Sequence, residues 1–161
     1  MSGAVVRPWT AADGLAAWQV VKTVFDEYGF ILEAMDYDGD LKDVQGQYLD
    51  RAGAFWVAEV DGQVVGCVGM RPESEGLIEL RRLYLVPEYR RLGIGRELIM
   101  TAVEWGRTRG FPTVELWSDV AFERAHALYE AAGFQRAGFR IADDPDQSRE
   151  HQYVKHYRER G

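Results

Sequence analysis

Residues 83–96 read Leu-Tyr-Leu-Val-Pro-Glu-Tyr-Arg-Arg-Leu-Gly-Ile-Gly-Arg, a β-forming run that ends at Pro87 and passes through Gly93 and Gly95 into a helical pattern. Leu98, Ile99, Ala102 and Val103 then recur on one face, which predicts an amphipathic helix to about Arg109 with Gly110 as its stop. Residues 77–86 alternate before the loop, with Leu80, Arg82, Tyr84 and Val86 on one side and Glu79, Arg81, Leu83 and Leu85 on the other. Residues 113–117 form a short apolar run beyond the helix. Because a helix separates the two strands, the second is expected to lie parallel to the first, in a β-α-β unit.

The other elements build outward from that unit. Residues 55–60 and 63–70 are rich in β-formers and flank Asp61-Gly62, a pair that tolerates the positive φ of a two-residue hairpin turn. With residues 77–86 they read as a three-stranded meander. Thr10 followed by Asp13 resembles a capping box, and Leu15, Trp18, Val21, Val24, Phe25 and Tyr28 follow at helical spacing, predicting a helix over 11–28. The acidic stretch 29–49 reads as a loop with one or two short helices. Residues 122–132 are helical up to Gly133, and 134–141 and 151–156 read as final strands around a polar turn containing Pro145. The fold class is therefore mixed α/β (α+β). The 161 residues suit one domain, 1–161, and show no internal repeat or Pro/Gly/Ser-rich linker.

A net charge of -7 disfavours general binding to the nucleic-acid backbone, which draws on Lys and Arg to neutralise phosphates. The charge is uneven: residues 81–96 hold five arginines and one glutamate, whereas residues 26–43 hold seven acids and one lysine. No apolar stretch approaches the roughly 20 residues that cross a bilayer, so no membrane association is expected. The N-terminus lacks the basic start and apolar run of a signal peptide, and the single cysteine, Cys67, has no internal disulfide partner. The expected location is cytoplasmic. Cys67 sits in a valine-rich strand without a local His and reads as a small core residue.

A strand that enters a helix through glycines makes an anion site: the first N–H groups of the helix are unpaired, its dipole favours negative charge, and glycines admit a close approach. Arg90, Arg91 and Arg96 add cationic charge. A dinucleotide-binding loop would need a glycine where Leu98 stands, and a nucleoside-triphosphate loop would need Gly-Lys-Ser/Thr, which is absent. A simple glycine-eased turn accounts for Gly93 and Gly95 alone but not for the whole segment.

Arg90-x-x-Gly93-x-Gly95, after Leu-Tyr-Leu-Val-Pro, resembles the acyl-CoA signature of the GNAT superfamily of N-acetyltransferases. Ala125-His126-Ala127-Leu128-Tyr129-Glu130-Ala131-Ala132-Gly133-Phe134 resembles its second signature, a helix that bears Leu-Tyr and ends in Gly-Phe. The resemblance covers roughly residues 55–139. It implies a central mixed, mostly antiparallel sheet flanked by helices, whose two parallel strands splay apart to admit acetyl-CoA. It also implies that the backbone of Leu83, Tyr84 and Leu85 pairs with the pantetheine arm. Arg90 and the amides of Arg91, Leu92, Gly93, Ile94, Gly95 and Arg96 would hold the pyrophosphate. Many relatives carry Asn where this chain has Phe122, so the pantetheine contact there stays open, with Ser118 or Asp119 as substitutes that equally well cap the next helix.

The implied reaction is direct acetyl transfer to a primary amine, with no covalent enzyme intermediate and no metal. An amine of pKa near 10.4 is mostly protonated at neutral pH, so a base is required. Glu79, on the strand eleven residues before Arg90, matches the family position for that carboxylate; the alternative is that it merely pairs with Arg81 or another strand's charge. Tyr129 matches the tyrosine that protonates the departing thiolate; the alternative is an aromatic packed with its hydroxyl in solvent. His126, one turn earlier, reads as a packing or surface residue.

By resemblance the acidic segment 26–48 and the final strands flank the acceptor. Asp26, Glu27, Glu33, Asp36, Asp38 and Asp40 either attract a cationic acceptor or form a solvated loop, and Tyr28, Phe30, Tyr37 and His151 are further candidates for contact. A small-molecule amine, a peptide N-terminus and a protein lysine all remain open, as does a homodimer. A silent acyl-CoA-binding or sensor domain is the alternative function.

Overall fold

The computed structural model describes residues 3–33 and 37–157. Seven strands form one sheet in the order β1-β2-β3-β4-β5-β7-β6: β1 (Ala4–Pro8), β2 (Ala54–Val60), β3 (Gln63–Ser74), β4 (Leu77–Leu85), β5 (Thr113–Asp119), β6 (Gln135–Ile141) and β7 (Arg149–His156). Every neighbouring pair is antiparallel except β4 and β5, which are parallel. The helices are α1 (Gly14–Tyr28), the single-turn α2 (Val44–Gln47), α3 (Ile94–Thr108) and α4 (Glu123–Ala131). No helix among the described residues is long and apolar enough to cross a membrane.

The sheet is covered on both faces, and β2 shows why its sequence is apolar throughout. Trp56, Ala58 and Val60 pack with Ile94, Leu98, Ile99 and Ala102 of α3 and Tyr129 of α4, whereas Phe55 and Val57 pack with Val20, Val21 and Phe25 of α1 and Val44 of α2. The period-2 alternation of the strand thus feeds two cores. The β2–β3 turn has the positive φ at both Asp61 (49°) and Gly62 (78°) that a two-residue hairpin of this kind needs. At the start of the α1 region the Thr10 amide donates to Asp13 Oδ2 at 2.8 Å, which holds a short 3-10 turn, Ala11–Asp13, ahead of the helix.

Two features differ from a regular meander. β1 pairs with β2 at the sheet edge, a strand that the sequence pattern does not announce. In β4, Gly69 opposes Arg81 and Cys67 opposes Tyr84, so β4 carries one extra residue, and Arg82 takes φ 58° there. This bulge breaks the simple alternation read from residues 77–86 and bends the strand. β4 and β5 pair only at Leu77↔Thr113, Ile78↔Val114 and Glu79↔Glu115, after which they part, while β5 stays paired with β7 as far as Asp119↔Glu150.

Candidate active site

The parting of β4 and β5 leaves a cleft through the sheet. Beyond Glu79, the edge of β4 that faces β5 has no strand partner, so its backbone N–H and C=O groups are available to a bound chain. One cavity of about 400 Å³ opens toward α3 and α4 and is lined by Leu83, Tyr84, Leu85, Arg91, Gly93 and Arg96 among others. A second, of about 110 Å³, contains Glu79, Ser118 and Tyr129 in its wall. The two share Leu83, Tyr84, Phe122 and Ala125, the residues at the parting itself.

The larger cavity ends on the glycine loop. Arg91 (φ 66°) and Gly93 (φ 87°) both take the left-handed conformation, turning successive amides the same way. The first backbone bond into α3 runs from the Glu97 amide to the Gly93 carbonyl at 3.1 Å, and the amides of residues 91–96 make no backbone hydrogen bond among the described residues. The Ile94 side chain is fully buried in the core, so only its backbone faces the loop. Gly95 is where α4 comes close: a Cβ there would meet Leu128 Cδ1 at 3.1 Å. Arg91, Arg96 and Arg124 line the cavity and form no ion pair among the described residues. The donor set therefore suits a polyanion such as the phosphates of a coenzyme A.

Arg124 carries a signal that the sequence reading passed over. It lies in the first turn of α4, where the helix dipole disfavours a cation unless an anion is near. Arg90, by contrast, is not free. Its guanidinium is bidentate to Glu27 at 2.7 and 2.8 Å and also donates to the Leu85 carbonyl at 3.1 Å, fastening the loop to α1. Phe122 fills the space between α1 and α4, its ring 4.8 Å from Tyr28, 5.7 Å from Phe30 and 6.2 Å from Tyr84. Leu92 is half exposed on the loop and is not among the lining residues.

The smaller cavity brings Glu79 and Tyr129 together although they come from β4 and α4. Glu79 is 8% exposed; burial pushes its carboxyl above the usual range against the charge of Arg81, whose Nη1 donates to Glu79 Oε1 at 2.7 Å. Tyr129 is 4% exposed, its hydroxyl makes no hydrogen bond among the described residues, and burial pushes its pKa up. Ser118 and Asp119 line this cavity and not the larger one. Phe30 and Tyr37 also line it, Tyr28 lines the other, and His151 lines neither.

A buried chain of charges backs the cavity. From Glu79 it runs through Arg81 to the Tyr48 hydroxyl (3.3 Å from Arg81 Nε), on to Asp40 (2.6 Å from that hydroxyl), and then to Arg82, whose Nε and Nη2 donate to Asp40 at 3.1 and 2.7 Å. Asp38 Oδ1 lies 3.0 Å from Arg82 Nη2. Four acids of this segment are spent on basic side chains: Asp26 pairs with Lys22, Glu27 with Arg90, and Asp38 and Asp40 with Arg82. Asp36 lies outside the described residues. Five carboxylates and three guanidiniums line the smaller cavity, and the three guanidiniums, Arg81, Arg82 and Arg140, all have carboxylate partners. Asp119, Asp144 and Asp146 have no cationic partner among the described residues. Cys67 is buried in the core with its thiol pushed up to about 12, and lies apart from both cavities.

Residues 18–134 match the model of a family described as "Acetyltransferase (GNAT) family". The chain is similar to N-acetyltransferase family 8 member 3 of Rattus norvegicus, 34% identical over 130 residues that make up 77% of this chain and 55% of that protein. It spans about half the length of the first curated relatives it matches. In fold it resembles a GNAT-family acetyltransferase from Staphylococcus aureus Mu50, with a TM-score of 0.84 at 18% identity over 95% of this chain and 98% of that one. It also resembles a GNAT-family acetyltransferase from Elizabethkingia anophelis determined with acetyl-CoA bound, with a TM-score of 0.67 at 14% identity over 98% and 100% of the two chains.

Proposed function

The chain belongs to the acetyltransferase (GNAT) family, and on that premise we propose that it transfers the acetyl group of acetyl-CoA directly to a primary amine, both substrates being held at once. The observation that carries this reading is the cleft between β4 and β5, which joins an anion-receiving cavity to a carboxylate-rich one through four shared residues.

Acetyl-CoA supplies an activated acetyl thioester. Arg91, Arg96, Arg124 and the amides of residues 91–96 hold its phosphates, and the unpaired edge of β4 at Leu83, Tyr84 and Leu85 takes the pantetheine amides. Arg90 contributes by fixing the loop. Phe122, in place of the family Asn, packs against the arm with its ring instead of hydrogen-bonding it. A backbone N–H on the same β4 edge polarises the thioester carbonyl, a fixed dipole in a site that excludes water.

The acceptor enters from the other cavity. The surplus of carboxylates there favours an amine that arrives as a cation. Glu79, held above its ordinary pKa by burial, takes a proton from that ammonium, directly or through water. Tyr129, whose hydroxyl reaches the cleft unpartnered, supplies a proton to the sulfur. Cys67 is buried apart from both cavities, and the acetyl group passes directly from sulfur to nitrogen in this reading. A silent acyl-CoA-binding domain would keep the first cavity, but it gives no reason for a buried carboxylate and an unpartnered phenol to share the second.

Calorimetric titration with acetyl-CoA, with NAD as control, followed by thiol release across a panel of diamines, amino acids and peptides, tests the reading. Binding of acetyl-CoA with amine-dependent thiol release is expected. Absence of acetyl-CoA binding would overturn it, and binding without turnover on any amine would leave the silent domain in its place.

A further inference from the structure

An ammonium that becomes an amide loses two protons: one before the nitrogen attacks, one after its new bond to carbon forms. The carboxylate assigned above accounts for the first. The second has to leave a nitrogen already wedged between β4 and β5, and on the face of the sheet that carries α4 the cleft wall holds another polar pair.

Ser118 is 7% exposed and occupies the inward position of β5 in line with Val114 and Leu116, where an apolar residue would be the ordinary choice. It lines the acceptor cavity with Glu79 and Tyr129. Its Oγ lies 3.1 Å from Nε2 of His126, a residue of α4 that is 5% exposed. The His126 ring lies against Tyr153 (5.3 Å between centroids) and His151 (5.8 Å) from β7. For the ring to accept from Ser118, neutral His126 carries its proton on Nδ1, leaving Nε2 as the acceptor to which the Ser118 hydroxyl donates. Burial, and to a lesser extent His151 and Arg136, lower the pKa of His126, while Asp119 and Glu130 oppose them. The ring is thus neutral and able to accept a proton near pH 7. A buried polar pair contributes little net stability compared with an apolar pair of the same shape, so its presence in the wall of the cleft calls for a use.

We propose that Ser118 and His126 form a proton relay for the second deprotonation. The N–H bond of the attacked nitrogen breaks as a bond to Ser118 Oγ forms, and the Ser118 hydroxyl proton passes to His126 Nε2. The imidazolium so formed keeps its Nδ1 proton and returns the other through Ser118 to the departing sulfur, either directly or by way of Tyr129. Of the two protons lost by the ammonium, one goes to solvent through Glu79 and one ends on the thiol, so the step balances without a further reactant. The inference rests on the acetyltransferase reading, and it makes Ser118 a residue that touches the reacting nitrogen and His126 one that acts through it.

The test compares the wild-type protein with Ser118→Ala and His126→Gln. Both variants are expected to bind acetyl-CoA within about two-fold of wild type and to lose at least ten-fold in kcat, toward the low end of general-base effects. The ratio of wild-type to variant rate, in which the ionisation of the acceptor cancels, should fall as pH drops through the His126 pKa, because the protonated ring no longer accepts. A ratio that stays flat with pH would assign the pair a structural role and overturn the relay. Independently of turnover, ¹⁵N NMR of the wild-type imidazole should report the Nδ1–H tautomer for neutral His126, and an Nε2–H tautomer would also overturn it. No turnover by the wild-type protein on any amine would remove the acetyltransferase reading and the relay with it, whereas turnover with a flat ratio removes the relay alone.

Discussion

Arg82, at φ 58° in the bulge of β4, grips Asp40 with two nitrogens at 2.7 and 3.1 Å, so the residue that bends the strand is tied to the segment after α1. Burial would raise the Asp40 pKa, but the charge and hydrogen bonds of Arg82 outweigh it and hold the carboxyl at about 2. Against an ordinary value of 3.8, a group held that low stabilises the fold by about 2 kcal/mol. The sign follows from the depression: the contribution is complete above the unfolded pKa and is lost as pH falls toward 2. Asp40→Asn should therefore cost about 2 kcal/mol at pH 7, because it leaves the buried guanidinium with Asp38 as its one remaining carboxylate among the described residues, and much less at pH 2.5. Urea unfolding of both proteins at the two pH values measures the difference.

The arginines around the loop separate into two kinds. Arg91, Arg96 and Arg124 have no carboxylate partner among the described residues, and replacing any of them with Ala should weaken acetyl-CoA binding by roughly three- to ten-fold and flatten its dependence on salt. Arg90→Ala and Glu27→Ala should instead loosen the loop by similar amounts. Their double mutant should be little worse than either, giving a coupling of about 1 kcal/mol in unfolding experiments.

Glu79→Gln should lower kcat by about a hundred-fold while leaving acetyl-CoA affinity unchanged. In the wild type, activity should fall as pH drops through a Glu79 pKa that burial has raised above 4.5, since the protonated acid cannot accept a proton. The ratio of wild-type to Glu79→Gln rates should fall along that limb. Stopped assays between pH 4.5 and 8 would show it, and a pH-independent ratio would count against Glu79 as the base.

The two loop glycines should fail in different ways. Gly93→Ala places a side chain at φ 87° with open space around it, so the cost is backbone strain of about 1–2 kcal/mol in stability. At Gly95 a Cβ meets Leu128 Cδ1 at 3.1 Å, so Gly95→Ala should push α4 from α3 and raise the KM for acetyl-CoA with a smaller change in melting temperature. Thermal melts and initial rates on the pair distinguish strain from displacement.

Contiguity decides what the sequence makes legible. The glycine loop, the Asp61-Gly62 turn and the stripe of α3 are each written in a few neighbouring residues, and the structure contains all three. β1 escapes because it is a five-residue edge strand ending in Pro8, half-buried in an irregular pattern. The bulge at Arg82 escapes because an arginine at positive φ leaves no mark on the hydrophobic alternation, and the Asp40 that clasps it lies 42 residues away. The same distance problem hides the Arg90–Glu27 pair, and hides Asp144 and Asp146, which reach the smaller cavity from the turn before β7. Glu79 and Tyr129 could be named separately from the sequence, but the shared cavity between them depends on two strands parting.

That parting makes the sheet mechanically unequal along its length. Three residue pairs set the angle at which β4 and β5 part, and residues 80–85, held on their other edge by β3, run about 20 Å beyond them at 3.3 Å per residue. One degree of change in that angle shifts the far end relative to β5 by about 0.35 Å, a displacement on the scale that decides whether reacting atoms meet. Conservative changes at Ile78 or Val114, buried and far from the glycine loop, should then act on both cavities in concert, because the two share the residues at the parting.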